Sequence, residues 1–206
     1  MRTETVGVTE TLIESAKKEF LEHGFQNANF RRISSESGVS TGSIYTRFGD
    51  KAGLFSAVVK PAADGLMELY LESITAARES GDPAEATSQG NEGTELVLKY
   101  IYENFDVFKL IFCHSAGTEY ERYFDELAEI EEKYYREFVK QFSRRENMVS
   151  DFFIHVICRT GWSYIYEVVS HDLSYDEAQI FMKSIREFCF AGWGKVLGQN
   201  YEDLGL

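Results

Sequence analysis

The chain has 206 residues, 44% hydrophobic and 15% aromatic, enough for a packed core and too apolar for wholesale disorder. No run of about 18 apolar residues occurs, and the first twenty residues lack a basic-then-apolar leader, so a soluble cytoplasmic protein with no membrane partner is expected. The formal charge of −13 argues against nucleic acid over the whole chain, yet residues 1–60 hold eight Lys/Arg against seven Asp/Glu, and the net acidity falls on residues 61–206.

In chain order, Leu12, Ile13, Ala16, Phe20 and Leu21 recur at three- and four-residue spacing. They predict a first helix capped by Thr9 and stopped at Gly24. Asn29 then caps a short helix over 30–37 that ends at Gly38, and Ser40 caps another over 41–48. Gly49-Asp50 closes that one, and Asp50 caps a fourth beginning at Lys51. Pro61 has no N–H to give, so a kink or break is expected near 58–61 before Leu66, Leu69, Tyr70 and Ile74 resume the period. Residues 80–93, rich in Gly, Ser and Asn, read as a loop.

Further helices are expected over 95–103, 105–113, 118–142, 149–170 and 175–197, two of them announced by capping boxes at Thr118/Glu121 and Ser174/Glu177. Strand-like alternation is weak throughout, so the fold class is all-α with about nine or ten helices. Cys113, Cys158 and Cys189 are odd in number, far apart and set among apolar residues, which suits reduced core thiols. Neither Cys113-His114 nor His155 with Cys158 completes a four-ligand set, so no metal or cofactor is expected. No Ser-His-Asp elbow, phosphate-binding glycine loop or HExxH is present, and an enzyme is not expected.

Two short helices joined by a tight turn have the spacing of a helix-turn-helix. Ile33, Val39, Ile44 and Phe48 would pack the pair against Leu12, Ala16, Phe20 and Leu54. Thr41, Gly42, Ser43, Thr46 and Arg47 would line the outer face of the second helix, offering hydroxyls and one guanidinium to base edges or phosphates.

The segment GFQNANFRRISSESGVSTGSIYTRFGDKAGLF resembles the DNA-binding segment of the TetR family, above all in GVSTGSIYTRFGDKAGLF. The resemblance covers roughly residues 8–58, with helical layout and the FAGWGKVLG ending beyond it. It implies a DNA-binding domain over 1–50, a ligand-binding and dimerisation domain over 51–206, and a fourth helix linking them. It further implies that Tyr45 and Lys51 hold phosphates, that Thr41, Ser43 and Arg47 read bases, and that Asn29 and Ser40 cap helices whose N–H groups face DNA. Phe30 stands where the family has a smaller aliphatic.

By the same resemblance a dimer on a palindromic double-stranded operator is expected, repressing until a small apolar or amphipathic effector binds. The expected pocket residues are Tyr100, Phe105, Phe108, Phe112, His114, Tyr134, His155 and Trp162, with Pro61 as hinge. Phe152, Val156, Phe181, Ile185, Phe188 and Trp193, on the last two helices, are expected at the dimer interface. The rival is a sensor or interaction module that has lost operator binding; the set Tyr45, Arg47 and Lys51 favours a live DNA reader.

Overall fold

A computed structural model describes residues 8–80, 83–143 and 149–198; residues 1–7, on which part of the leader argument falls, lie outside it. Nine α-helices and one 3₁₀ turn make up the described residues, with no strand among them. The helices are α1 (Val8–Asn27), α2 (Phe30–Ser37), α3 (Thr41–Phe48), α4 (Lys51–Arg78), α5 (Pro83–Glu103), α6 (Phe105–Cys113), α7 (Tyr123–Phe142), α8 (Asp151–Ser170) and α9 (Tyr175–Leu197). The 3₁₀ turn is Glu119–Arg122.

Contacts divide the chain into two compact units, residues 1–65 with 104–123 and residues 66–103 with 124–206. Helices α1 to α3, the first half of α4, α6 and the 3₁₀ turn therefore form one unit, while the rest of α4 belongs to the other with α5, α7, α8 and α9. The first unit closes on Phe20, Phe55, Leu12, Ile33, Ile44 and Leu54, all fully buried. Each such side chain contributes about 1.5–3 kcal/mol by leaving water. Phe55 meets the Phe20 ring edge-on at 5.0 Å and the Phe25 ring at 5.5 Å.

Helix α1 runs true to Gly24, where φ of 69° and ψ of 167° break the helical backbone before a last turn to Asn27. Thr9 does not cap it, because Val8 is already helical. No break occurs at Pro61: α4 is helical from Lys51 to Arg78. Pro61 lies on the exposed side, where water can meet the carbonyl its ring leaves unbonded, while Val58, Val59, Ala62 and Ala63 stay buried on the inner side.

The expected loop over 80–93 is mostly helix. Pro83 opens α5, a position where its missing N–H costs nothing, and Ala86 is buried. Gly93 is there for contact: a Cβ at this position would come within 2.8 Å of the Ser73 Cβ on α4. Thr118 caps the 3₁₀ turn through Tyr120 N–H, but Glu121 accepts from Gly117 N–H, so the expected capping box does not form. The Ser174/Glu177 box is complete. Cys158 is buried and Cys113 and Cys189 are half-buried, all three as free thiols.

Candidate functional site

The two short helices are fixed by local chemistry. Asn29 Oδ1 accepts the Arg31 N–H at 2.8 Å, Gly38 takes the left-handed φ of 70° that the turn requires, and Ser40 Oγ accepts the Ser43 N–H at 3.2 Å. Fully buried Ile44 and nearly buried Val39 hold α3 to the core, with Phe48 half-buried behind them. That anchoring leaves Gly42, Ser43, Tyr45, Thr46 and Arg47 exposed and Thr41 half-buried along the outer face.

Tyr45 is 55% exposed, and its ring stands edge-on to Phe30 at 4.8 Å. Phe30 is itself buried, so the larger side chain at this position supports the Tyr45 ring. Thr46 Oγ1 donates to the Gly42 carbonyl at 2.9 Å, and Arg47 Nη1 donates to Thr9 Oγ1 at 2.7 Å. Lys51 Nζ donates to the Gln26 carbonyl at 2.7 Å and the Ala28 carbonyl at 3.4 Å, and lies 4.9 Å from the Phe25 ring centre.

Two supporting residues escaped the sequence reading. Glu19 is buried and accepts the Asn29 N–H at 2.7 Å and Arg32 Nε at 2.8 Å, joining α1 to the first turn of α2. Burial alone would raise its carboxyl pKa; the bonds from Arg32 and Asn29 outweigh that, and the net shift is downward. The signal was available, since Glu19 falls in step with Leu12, Ser15 and Ala16 on the core-facing side of α1. Gly53 is the other. A Cβ there would lie 2.0 Å from the Phe48 carbonyl oxygen, so only glycine lets the first turn of α4 sit this close to the end of α3.

In the second unit, α4, α5, α7, α8 and α9 surround a cavity of about 500 Å³. Its walls include Tyr70, Tyr134, Tyr135, Phe153, Trp162 and Trp193. Tyr135 stacks flat on Trp193 at 5.0 Å, and Tyr70 meets Trp162 edge-on at 5.1 Å. Glu131 and Arg186 are the charged residues of the lining; Arg186 pairs with Glu95 at 2.8 Å. Burial pushes the Glu131 carboxyl up to about 8, against a lowering hydrogen bond with Trp162.

Of the expected pocket residues, Tyr134 and Trp162 line this cavity. Tyr100 and His155 belong to the same unit without lining it; His155 Nδ1 lies 2.8 Å from Glu132 Oε1 instead. Phe105, Phe108, Phe112 and His114 fall in the first unit, because α6 packs with the N-terminal helices. Phe108 is fully buried there, and the His114 carbonyl accepts the Phe25 N–H at 3.1 Å beside the Gly24 bend. Among the expected interface residues, Phe152, Val156 and Phe188 are 74%, 41% and 72% exposed. Phe181, Ile185 and Trp193 are half-buried, the last two against the cavity. Ile180, 70% exposed on α9, was not anticipated.

Comparison with known proteins bears on the N-terminal unit most directly. The sequence profile described as bacterial regulatory proteins, tetR family, matches residues 12–58. The HTH-type transcriptional repressor AcnR of Corynebacterium glutamicum is 37% identical over 62 residues, 30% of this chain and 33% of the relative. The alignment thus spans about a third of that relative's length. Over most of its length the chain shares its fold with the ketosteroid transcriptional regulator KstR2 of Mycobacterium tuberculosis, at a TM-score of 0.64 and 14% identity, covering 89% of this chain and 95% of that one. The transcriptional regulator FadR from Bacillus subtilis, solved in complex with stearoyl-CoA, gives a TM-score of 0.58 at 14% identity, covering 87% and 96%.

Proposed function

Residues 12–58 are a TetR-family domain, and from that premise we propose that the chain is a ligand-responsive transcriptional regulator. In this reading it represses from a palindromic operator as a homodimer and is released by a small apolar or amphipathic molecule. The observation that carries the reading is the outer face of α3, where Ser43, Thr46 and Arg47 stand exposed on a helix anchored by Ile44, flanked by Tyr45 and Lys51.

Helix α3 enters the major groove, where Thr41, Ser43 and Arg47 meet base edges. The N–H groups at the start of α2, the Tyr45 hydroxyl and Lys51 take phosphates, as does the capped start of α3 at Ser40. Lys51 has three donors and directs two of them to backbone carbonyls, which orients the ammonium and leaves one for DNA. One such helix reads few base pairs, so a second copy is needed, its helix about 34 Å away in the next major groove. The exposed apolar side chains Phe152, Val156, Ile180 and Phe188 on α8 and α9 supply a surface for that copy.

Helix α4 couples effector to DNA. Tyr70, Ser73, Ile74 and Ala77 line the cavity, and the same unbroken helix begins with Lys51 and carries Gly53 against α3. An effector that favours one placement of α4 by about 5.5 kcal/mol would turn a 1:99 population into 99:1. The apolar walls fit an apolar body, in keeping with the stearoyl-CoA held by FadR and the ketosteroid named for KstR2.

Fluorescence-anisotropy titration against palindromes from the DNA upstream of its own gene, at two salt concentrations and with scrambled duplex as control, tests the proposal. Sequence-selective binding by a dimer is the expected result. Binding no tighter than to scrambled DNA, by folded and ligand-free protein, would leave a sensor module without operator function.

A further inference from the structure

The cavity of the second unit contains a group that a purely apolar effector would leave idle: the Glu131 carboxyl, the one acid among the described residues of a lining dominated by aromatic and aliphatic side chains. Resting on the reading of this cavity as the effector site, we propose that it selects a lipophilic organic cation, whose charge pairs with Glu131 while its body lies against Tyr134, Tyr135, Trp162 and Trp193.

Three observations converge. The first is under-satisfaction: the single indole N–H of Trp162 faces both the Glu131 carboxyl and the Tyr70 hydroxyl, and the buried Tyr70 hydroxyl makes no hydrogen bond of good geometry. A carboxylate so placed lacks the two or three donors that would stabilise it, and a cation supplies the missing charge. The second is the wall itself, since aromatic faces attract cations through their quadrupoles, most strongly where water is excluded. The third is space: Gly161 on α8 lines the cavity beside Glu131, with its Cβ position 3.8 Å from Oε2, so no side chain from that position stands over the carboxyl.

Arg186, the one base among the described lining residues, is already paired with Glu95 and does not make the cavity a receptor for anions. The other titratable groups around Glu131 are Tyr70 on α4, Tyr134 and Tyr135 on α7, Cys158 on α8 and Cys189 on α9. Burial raises every one of them above its ordinary value, so none changes charge near neutrality. With its carboxyl pushed up to about 8 by burial, Glu131 is largely protonated at pH 7, and a cation that pairs with it releases that proton to solvent.

Isothermal titration of the full chain with tetraphenylphosphonium, its shape-matched anion tetraphenylborate and neutral triphenylphosphine oxide tests this, in buffers of differing ionisation enthalpy. Tetraphenylphosphonium should bind tightest of the three, releasing close to one proton at pH 6.5. Its affinity should rise roughly twentyfold from pH 6.5 to 8.5, the gain in ionised Glu131 for a group titrating at about 8. Glu131→Gln should weaken the phosphonium tenfold or more and abolish the pH dependence while leaving triphenylphosphine oxide unchanged, and Glu131→Asp should retain part of the preference.

Equal or tighter binding of the borate or the oxide, no phosphonium binding, or an unaltered Glu131→Gln would overturn the inference. Because binding is read without DNA, a phosphonium that binds but leaves operator affinity unchanged refutes the effector reading alone.

Discussion

Replacing Gly53 by alanine sets two effects of opposite sign against each other. Alanine favours a helix over glycine by about 0.8–1.0 kcal/mol, and Gly53 sits in the first turn of α4 with its N–H on Asp50 Oδ1 at 2.8 Å, so propensity alone predicts a more stable protein. The added methyl, however, would lie 2.0 Å from the Phe48 carbonyl oxygen and 3.1 Å from its carbon. Those atoms are backbone and cannot rotate away, so α4 must back off from the end of α3. Overpacking of this kind costs about 1–3 kcal/mol, and an overlap with backbone belongs at or above the upper end. The net expectation is a loss of about 2 kcal/mol, hence a Tm lower by roughly 4–8 °C for a chain of this size. Thermal unfolding followed by circular dichroism, paired with operator titration, is the assay, and weaker operator binding is expected because α3 loses its backstop. A Tm equal to or above that of the wild type would show that the contact yields freely and would refute the reasoning.

Glu19→Gln should cost about 1–3 kcal/mol, because Arg32 and the Asn29 N–H lose a charged acceptor. The Glu19 carboxyl is lowered in the folded state, so its contribution is complete above the ordinary carboxylate value of about 4.3 and disappears as pH falls below it. Urea midpoints between pH 7 and 3 should therefore fall less in the variant than in the wild type; parallel curves would remove Glu19 from the account. Lys51→Ala should weaken all duplexes alike and reduce the salt slope by about 1, whereas Arg47→Ala should relax the preference at one base position. Equal losses on every sequence for both variants would assign Arg47 to phosphate. Phe152→Asp with Phe188→Asp should convert a dimer to monomer in light scattering with little change in helicity, and an unaltered dimer would place the interface elsewhere.

The sequence by itself determined the local structure of the N-terminal unit. Asn29, Gly38, Ser40, Gly49 and Asp50 each carry a cap or turn preference within a few bonds of the backbone they control, and α2, α3 and the start of α4 fall on the expected residues. The apolar periodicity of α6 and α9 was equally legible, with bounds that match. Where local rules spoke against a helix they misled. The glycines and serines of residues 83–93 read as loop because a close approach to Ser73 leaves no trace in their own spacing. Pro61 read as a break because its exposed position inside a buried stripe depends on what the stripe packs against.

Only the tertiary structure decided which aromatic side chains share a space. Phe105, Phe108 and Phe112 are as apolar as Tyr134 and Trp162, yet α6 packs with the N-terminal helices and takes Phe108 into a different core. Glu131 was one acid among many on an acidic helix until five helices closed around it. Periodicity states which face of a helix is buried; the partner that buries it is chosen by contacts between residues far apart in the chain, and those contacts make one buried ring core and another the wall of a cavity.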